Sequence, residues 1–82
     1  MEEKIRRFIE DSYLVEFSTD INDETNLFQE KIVDSFGFVE LVTFLEREFQ
    51  IKISDQEILS DRLTSYSQIV ALVREKLGEQ NS

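Results

Sequence analysis

The segment that decides the fold is Ser35–Gln50, with the sequence SFGFVELVTFLEREFQ. Its apolar residues recur at the spacing of one helical face, so residues 35–50 are predicted to form a helix with a buried stripe. The stripe consists of Phe38, Leu41, Val42, Leu45 and Phe49. The first turn is unusual because it brings together a serine, a glycine and two phenylalanines.

Three further helices are predicted around this segment. The spacing of Ile5, Phe8, Ile9 and Tyr13 indicates a first helix, and the capping-box sequences SDQE and SYSQ indicate the starts of two more. The segment between the first two helices has no helical period and is rich in Ser, Thr, Asn and Asp, which is typical of a loop. The predicted boundaries are about 2–16 for helix 1, 17–34 for the loop, 35–50 for helix 2, 55–60 for helix 3 and 66–77 for helix 4.

These elements predict an all-α fold, a small four-helix bundle of three longer helices and one short helix. A long loop joins helices 1 and 2, and the final sequence GEQNS is expected to follow the last helix. The chain has 82 residues, no proline and two glycines, a composition that favours helices over strands and turns. We therefore expect a single domain over residues 1–82.

The charge of the chain limits its possible partners. Eighteen acidic residues against nine basic ones give a net charge of −9, which opposes binding to nucleic acid and favours partners with basic surfaces. No segment approaches the roughly 20 apolar residues that a membrane-spanning helix needs, and the N-terminal sequence has no apolar signal core. We expect a cytoplasmic protein without a membrane span.

The residue types argue against autonomous catalysis and against a metal site. The chain has no Cys and no His, so it lacks a thiolate nucleophile and the usual base near neutral pH. The acidic loop that starts at Asp20 resembles a calcium loop, but Thr25 and Lys31 stand where Gly and Glu are required. We predict no catalytic residue and no metal ligand.

Ser35 has two possible roles at the start of helix 2. Either Ser35 is the N-cap itself, or Asp34 is the N-cap and the Ser35 hydroxyl is left free. Phe36 lies off the buried stripe, and Gly37 clears bulk beside the serine although glycine costs about 1 kcal/mol against alanine in a helix. A free hydroxyl at a helix N-terminus suits a phosphate ester, because the helix dipole favours anions there.

The sequence DSFGFVELVTFLEREF, residues 34–49, resembles the attachment segment of the acyl carrier protein family, which includes stand-alone peptidyl and D-alanyl carriers. The family signature is Asp-Ser followed by a large apolar residue at the start of the second helix, here Asp34, Ser35 and Phe36. Chain length, acidity and helix order also resemble the family. Gly37 and Arg47 depart from the common fatty-acid carrier pattern, and the DSFG form is closer to D-alanyl and specialised stand-alone carriers.

The resemblance implies a carrier protein rather than an enzyme. A phosphopantetheinyl transferase would move 4′-phosphopantetheine from coenzyme A onto Ser35, and the thiol of this arm would hold an acyl or aminoacyl group as a thioester. Other implied partners are an acyl- or aminoacyl-loading ligase and downstream synthases or transferases, acting on a monomeric carrier. A rival hypothesis from a different class is an unmodified small acidic adaptor that binds basic proteins.

The resemblance also implies that helix 2 is the face that partner enzymes recognise. The residues carried over by position are Asp34, Phe36, Val39, Glu40, Thr43, Glu46 and Arg47. Cargo could be sheltered between the helices by a set of apolar residues that otherwise form the core. The candidates are Phe28, Leu41, Leu45, Ile53, Ile58 and Ile69.

Overall fold

A computed structural model describes the backbone of residues 1–81 and the side chains of residues 1–78; Ser82, the last residue of the GEQNS sequence, lies outside the described residues. The elements are α1 (Glu2–Tyr13), α2 (Ser35–Phe49), α3 (Asp55–Leu59), a 3₁₀ turn (Asp61–Leu63) and α4 (Tyr66–Asn81). Residues 1–81 contain no strand, only an isolated bridge between Phe17 and Ile21. The prediction of an all-α, four-helix fold is confirmed.

One apolar core joins α1, α2 and α4, because each of these helices turns its hydrophobic stripe inward. The ring of Phe8 stacks on that of Phe44 with 4.3 Å between centroids, which fixes α1 against α2. The completely buried side chains are Ile5, Ile9, Leu27, Leu41, Leu45, Leu63, Ile69, Leu72 and Val73. Among the described residues, none of the helices has both the length and the apolar composition that crossing a membrane requires.

The apolar residues proposed to shelter cargo mostly belong to this core. Leu41, Leu45 and Ile69 have no exposed surface, and Ile53 is also buried. Phe28 and Ile58 pack against the core from its edge, where they are partly exposed. In this conformation the set stabilises the fold, each fully buried Leu or Ile by about 1.5–3 kcal/mol.

Helix α1 ends at Tyr13, three residues before the predicted end. Leu14 has left-handed backbone angles (φ 57°), and its N–H still donates to the carbonyl of Glu10. The N–H of Val15 also donates to the Glu10 carbonyl, and the N–H of Phe17 donates to the Glu10 carboxylate at 3.1 Å. Glu10 thus closes the helix end, a role that helical periodicity does not reveal.

Helix α4 continues where a stop was predicted. It passes through Gly78 and extends to Asn81, because a glycine lowers helix propensity by only about 1 kcal/mol and no proline follows it. Helices α2 and α3 each end one residue earlier than predicted. The 3₁₀ turn was not predicted; it carries Leu63 into the core, where its side chain is 1% exposed.

The segment between α1 and α2 is ordered by its own polar side chains. The Asn22 side-chain oxygen accepts from the N–H of Glu24, and that of Asn26 accepts from the N–H groups of Phe28 and Gln29. These oxygens are therefore used in turns. No group of three or more metal-ligating side chains occurs within residues 1–78.

Two contacts anchor this loop on the rest of the fold. The N–H of Leu27 donates to the carbonyl of Thr64, which follows the 3₁₀ turn and precedes α4. The guanidinium of Arg6 lies over the rings of Phe17 and Tyr66, 4.4 and 4.6 Å from their centroids. This cation–π arrangement ties α1, the loop and α4 together.

An ion pair and a capping box hold α3 in place. Lys76 Nζ of α4 lies 2.7 Å from a carboxylate oxygen of Glu57, and both side chains are only 19% exposed. The same carboxylate accepts from the N–H of Ser54, whose hydroxyl accepts from the N–H of Glu57. The Lys76 hydrogen bond, followed by that of the Ser54 N–H, lowers the pKa of Glu57 to about 2.

Replacing Lys76 by Met is expected to make the fold less stable at neutral pH. Because the pKa of Glu57 is lowered on folding, its contribution is present above the ordinary value of 4.5 and is lost as the pH falls towards about 2. The difference in free energy of unfolding between wild type and Lys76→Met should therefore shrink over this window, as measured by urea denaturation. Lys52→Met, at an exposed lysine without an ion pair among the described residues, is the control, and a pH-independent difference would contradict the expectation.

Candidate functional site

The first turn of α2 is capped by Asp34. The Asp34 backbone is extended (φ −101°, ψ −174°), and its carboxylate Oδ1 accepts from the N–H of Gly37 at 2.8 Å. Its carbonyl accepts from the N–H of Phe38 at 2.9 Å and begins the helical hydrogen-bond ladder. Of the two possible roles of Ser35, the structure therefore excludes that of N-cap.

Ser35 is the first residue of α2, and its side chain is exposed. Its hydroxyl makes no hydrogen bond with any residue that the structure describes. The acceptor that caps the first turn is instead the carboxylate of Asp34. The N–H groups at the start of a helix lack intrahelical partners and carry the positive end of the helix dipole. The position fits a phosphate ester on the Ser35 oxygen, since hydroxyl, open space and a favourable field coincide there.

The exposed face of α2 starts beside this serine. Phe36 is 74% exposed and Val39 61% exposed, and Glu40, Thr43 and Arg47 lie on the same side of the helix. Arg47 forms no ion pair with the other described residues, so its charge is available to a partner. The structure thus brings together six of the seven residues that were predicted to face partners, counting Asp34 at the cap.

Glu46 has a different surrounding from the other six. Its side chain is half-buried, and its carboxylate accepts from the N–H of Ile53 at 2.9 Å. Its carbonyl also accepts from the N–H groups of Gln50 and Ile51, where α2 ends. Glu46 holds the connection between α2 and α3, so its carboxylate is already engaged within the fold.

Gly37 lies against Tyr13, a residue that sequence reasoning assigned only to the buried stripe of helix 1. The Tyr13 hydroxyl donates to the carbonyl of Gly37 at 2.7 Å. A Cβ atom at position 37 would lie 3.1 Å from the Tyr13 ring, closer than ordinary van der Waals contact. The glycine therefore makes room for Tyr13, whereas the sequence suggested that it clears space beside Ser35.

The surroundings of Tyr13 keep its hydroxyl protonated. Burial raises the pKa of Tyr13 well above its ordinary value, and the carboxylates of Glu40 and Asp34 raise it further. A phenol in this state is a hydrogen-bond donor throughout the physiological pH range.

A second residue near the site was also missed by sequence reasoning. Leu14, which ends α1, is 88% exposed and lines the same surface pocket as Phe36 and Ile32. The pocket has a volume of about 270 Å³. No sequence pattern marks Leu14, because its position beside Phe36 depends on how α1 packs on α2.

Comparison with known proteins identifies the class. A family model described as the phosphopantetheine attachment site matches residues 15–73, a range that contains Ser35 and all of α2. The acyl carrier protein homolog of Mycoplasmopsis pulmonis (strain UAB CTIP) is 40% identical over 53 residues, which cover 65% of this chain and 70% of that protein.

The chain therefore belongs to the acyl carrier protein family, whose members carry a covalent 4′-phosphopantetheine group. It is a carrier protein and not an enzyme. Its activity depends on other proteins, namely an enzyme that attaches the group and enzymes that use what it carries. The resemblance seen in the sequence is confirmed at this level.

Replacing Asp34 by Ala is expected to lower the free energy of unfolding by about 1 kcal/mol, because the N–H of Gly37 loses its capping acceptor. Asp34→Asn keeps a side-chain oxygen at the same place and should lose much less. Urea denaturation of both variants measures the difference. An equally large loss in Asp34→Asn would contradict the capping role.

Proposed function

We propose that Ser35 is the attachment site, and that the chain carries acyl or aminoacyl groups as thioesters on the attached arm. The observation that carries this proposal is the free, exposed hydroxyl of Ser35 on a helix turn that Asp34 caps. The family match supports it, because the matched range contains this serine. The thiol at the end of the arm supplies the thioester chemistry.

The chain's own contribution to its modification is to present a nucleophile. The Ser35 oxygen forms the new bond to phosphorus, the bond to the adenosine-containing part of coenzyme A breaks, and the hydroxyl proton passes to the transferase. The N-terminal turn of α2 favours the resulting phosphodiester charge through its dipole. Since the chain has no cysteine, no side-chain thiol competes for the cargo.

Partner enzymes are proposed to dock on the exposed face of α2, with apolar contacts at its centre and charged contacts at its rim. The proposed contacts are Asp34, Phe36, Val39, Glu40, Thr43 and Arg47, with Glu46 at the edge. Exposed aromatic and apolar side chains surrounded by charges are typical of a recognition surface. The partners are a phosphopantetheinyl transferase, a loading ligase and downstream synthases or transferases.

We propose further that the chain is a single carrier domain over residues 1–82, and that it is a monomer in the cytoplasm. Helix α1 lies outside the matched range, and it supports the single domain because its Ile5 and Ile9 are completely buried in the same core as α2. A specialised aminoacyl carrier is the second candidate, favoured by the sequence DSFG.

Incubation with coenzyme A and a broad-specificity transferase is expected to add one phosphopantetheinyl group, measured by intact mass. Ser35→Ala should show no gain, and Ser12→Ala, at an exposed serine in α1, should be modified like wild type. No gain in the wild-type chain, with a known carrier modified in the same mixture, would favour the unmodified adaptor. The mass of the thioester recovered from cells distinguishes acyl from aminoacyl cargo.

Truncation of Phe36 to Ala is expected to raise the KM of the transferase for this chain at least about fivefold, because buried aromatic anchors contribute more than 1 kcal/mol to many interfaces. Leu59→Ala is the matched control, since Leu59 is a similarly exposed apolar residue (86%) at the end of α3. Steady-state kinetics on both variants provide the test. Equal effects of the two truncations would argue against a docking face on α2.

A further inference from the structure

We propose that Tyr13 is a positioning residue for the modification of Ser35, acting through the carbonyl of Gly37. The proposal rests on the assignment of Ser35 as the attachment site. It adds a residue from α1, distant in sequence, to a site that the sequence placed entirely on α2.

The peptide groups on either side of the Gly37 Cα are held by two side chains. The N–H of Gly37 donates to Asp34 at 2.8 Å, and its carbonyl accepts from Tyr13 at 2.7 Å. Gly37 lies two residues after Ser35 in the same turn, so a rotation of this turn would move the serine oxygen. Asp34 restrains the turn locally, and Tyr13 is the restraint that connects it to another helix.

Tyr13 is itself held by aromatic packing. Its ring meets that of Phe8 edge-on, with 6.0 Å between centroids, and Phe8 stacks on Phe44 of α2 at 4.3 Å. Aromatic pairs of this geometry are favourable beyond the area they bury. The aromatic packing therefore fixes the position of the Tyr13 hydroxyl. Its hydrogen bond to the Gly37 carbonyl in turn restrains the first turn of α2, which bears Ser35.

The glycine at position 37 leaves room for this arrangement. Gly37 is buried, and a side chain there would meet the Tyr13 ring at 3.1 Å and the Asp34 carboxylate at 3.4 Å. The Tyr13 ring would have to shift by a few tenths of an ångström. The pair Tyr13–Gly37 is thus one structural unit, although 24 residues separate its members.

The Tyr13 hydroxyl is an uncharged hydrogen-bond donor, which suits a site that basic partners approach. The carboxylates of Asp34 and Glu40 lie close enough to Tyr13 to raise its pKa, in addition to burial. A neutral phenol supplies the hydrogen bond without cancelling these negative charges, as a lysine or arginine donor would. The acidic field beside Ser35 stays available to steer a partner.

Tyr13→Phe removes the hydroxyl and keeps the ring, and Tyr66→Phe is the matched control. The hydroxyl of Tyr66 also donates to a backbone carbonyl of α1, that of Glu2 at 3.2 Å, at the opposite end of this helix from Tyr13. The transferase kcat on Tyr13→Phe is expected to fall about fivefold, the factor that one net hydrogen bond corresponds to, with KM little changed. Tyr66→Phe should keep wild-type kinetics, and urea denaturation shows whether both variants remain folded.

Gly37→Ala provides a second, independent perturbation of the same contact. It is expected to slow the modification as well, and the double variant Tyr13→Phe/Gly37→Ala should show less than the product of the two single effects. Additive effects would indicate that the two residues act separately.

Amide hydrogen exchange tests the contact without any modification. In Tyr13→Phe the N–H groups of Gly37 and Phe38 should exchange about fivefold faster, whereas Tyr66→Phe should leave them unchanged. If wild type is not modified at Ser35, the proposed function fails while the exchange rates still decide whether Tyr13 holds the turn. Exchange and kcat in Tyr13→Phe equal to those in Tyr66→Phe would overturn the proposal.

Discussion

The hydroxyl of Tyr13 reaches from the end of α1 to the carbonyl oxygen of Gly37, and no side chain at position 37 stands between them. This hydrogen bond holds the C-terminal end of α1 against the first turn of α2. Helix α1 ends at once after Tyr13, with Leu14 in the left-handed conformation, and the connecting loop begins there. The first turn of α2 is capped by Asp34, and Ser35 faces solvent there.

The helical elements could be predicted from the sequence because they depend on local periodicity. The stripe from Phe38 to Phe49 marks α2, and the side of the helix opposite it is exposed as expected. The end of α1 could not be predicted in this way, since the Glu10 carboxylate closes it by accepting from Phe17. Periodicity describes which face is buried; it does not describe which side chains capture the backbone where a helix stops.

The sequence predicted most of the residues of the candidate site, but it did not predict the contacts that they make. Ser35 stood out at the start of a helix, yet the choice between Asp34 and Ser35 as N-cap needed the geometry of the Gly37 N–H. The contact of Tyr13 with Gly37 carried no sequence signal, because it joins residues 24 positions apart. Glu46 is the opposite case. Its spacing predicted a place on the partner face, whereas its carboxylate accepts a hydrogen bond from the N–H of Ile53. Local cap geometry decides the first of these cases, and contacts that leave the helix decide the other two.

The hydrogen bond of Tyr13 has a practical consequence for observing the carrier at work. The chain contains no tryptophan and only two tyrosines, so its tyrosine fluorescence comes from Tyr13 and Tyr66 alone. The hydroxyl of Tyr13 is hydrogen-bonded to the turn that bears Ser35. A chain in which Tyr66 is phenylalanine has Tyr13 as its single tyrosine, so it carries a native optical reporter beside Ser35 and needs no external label.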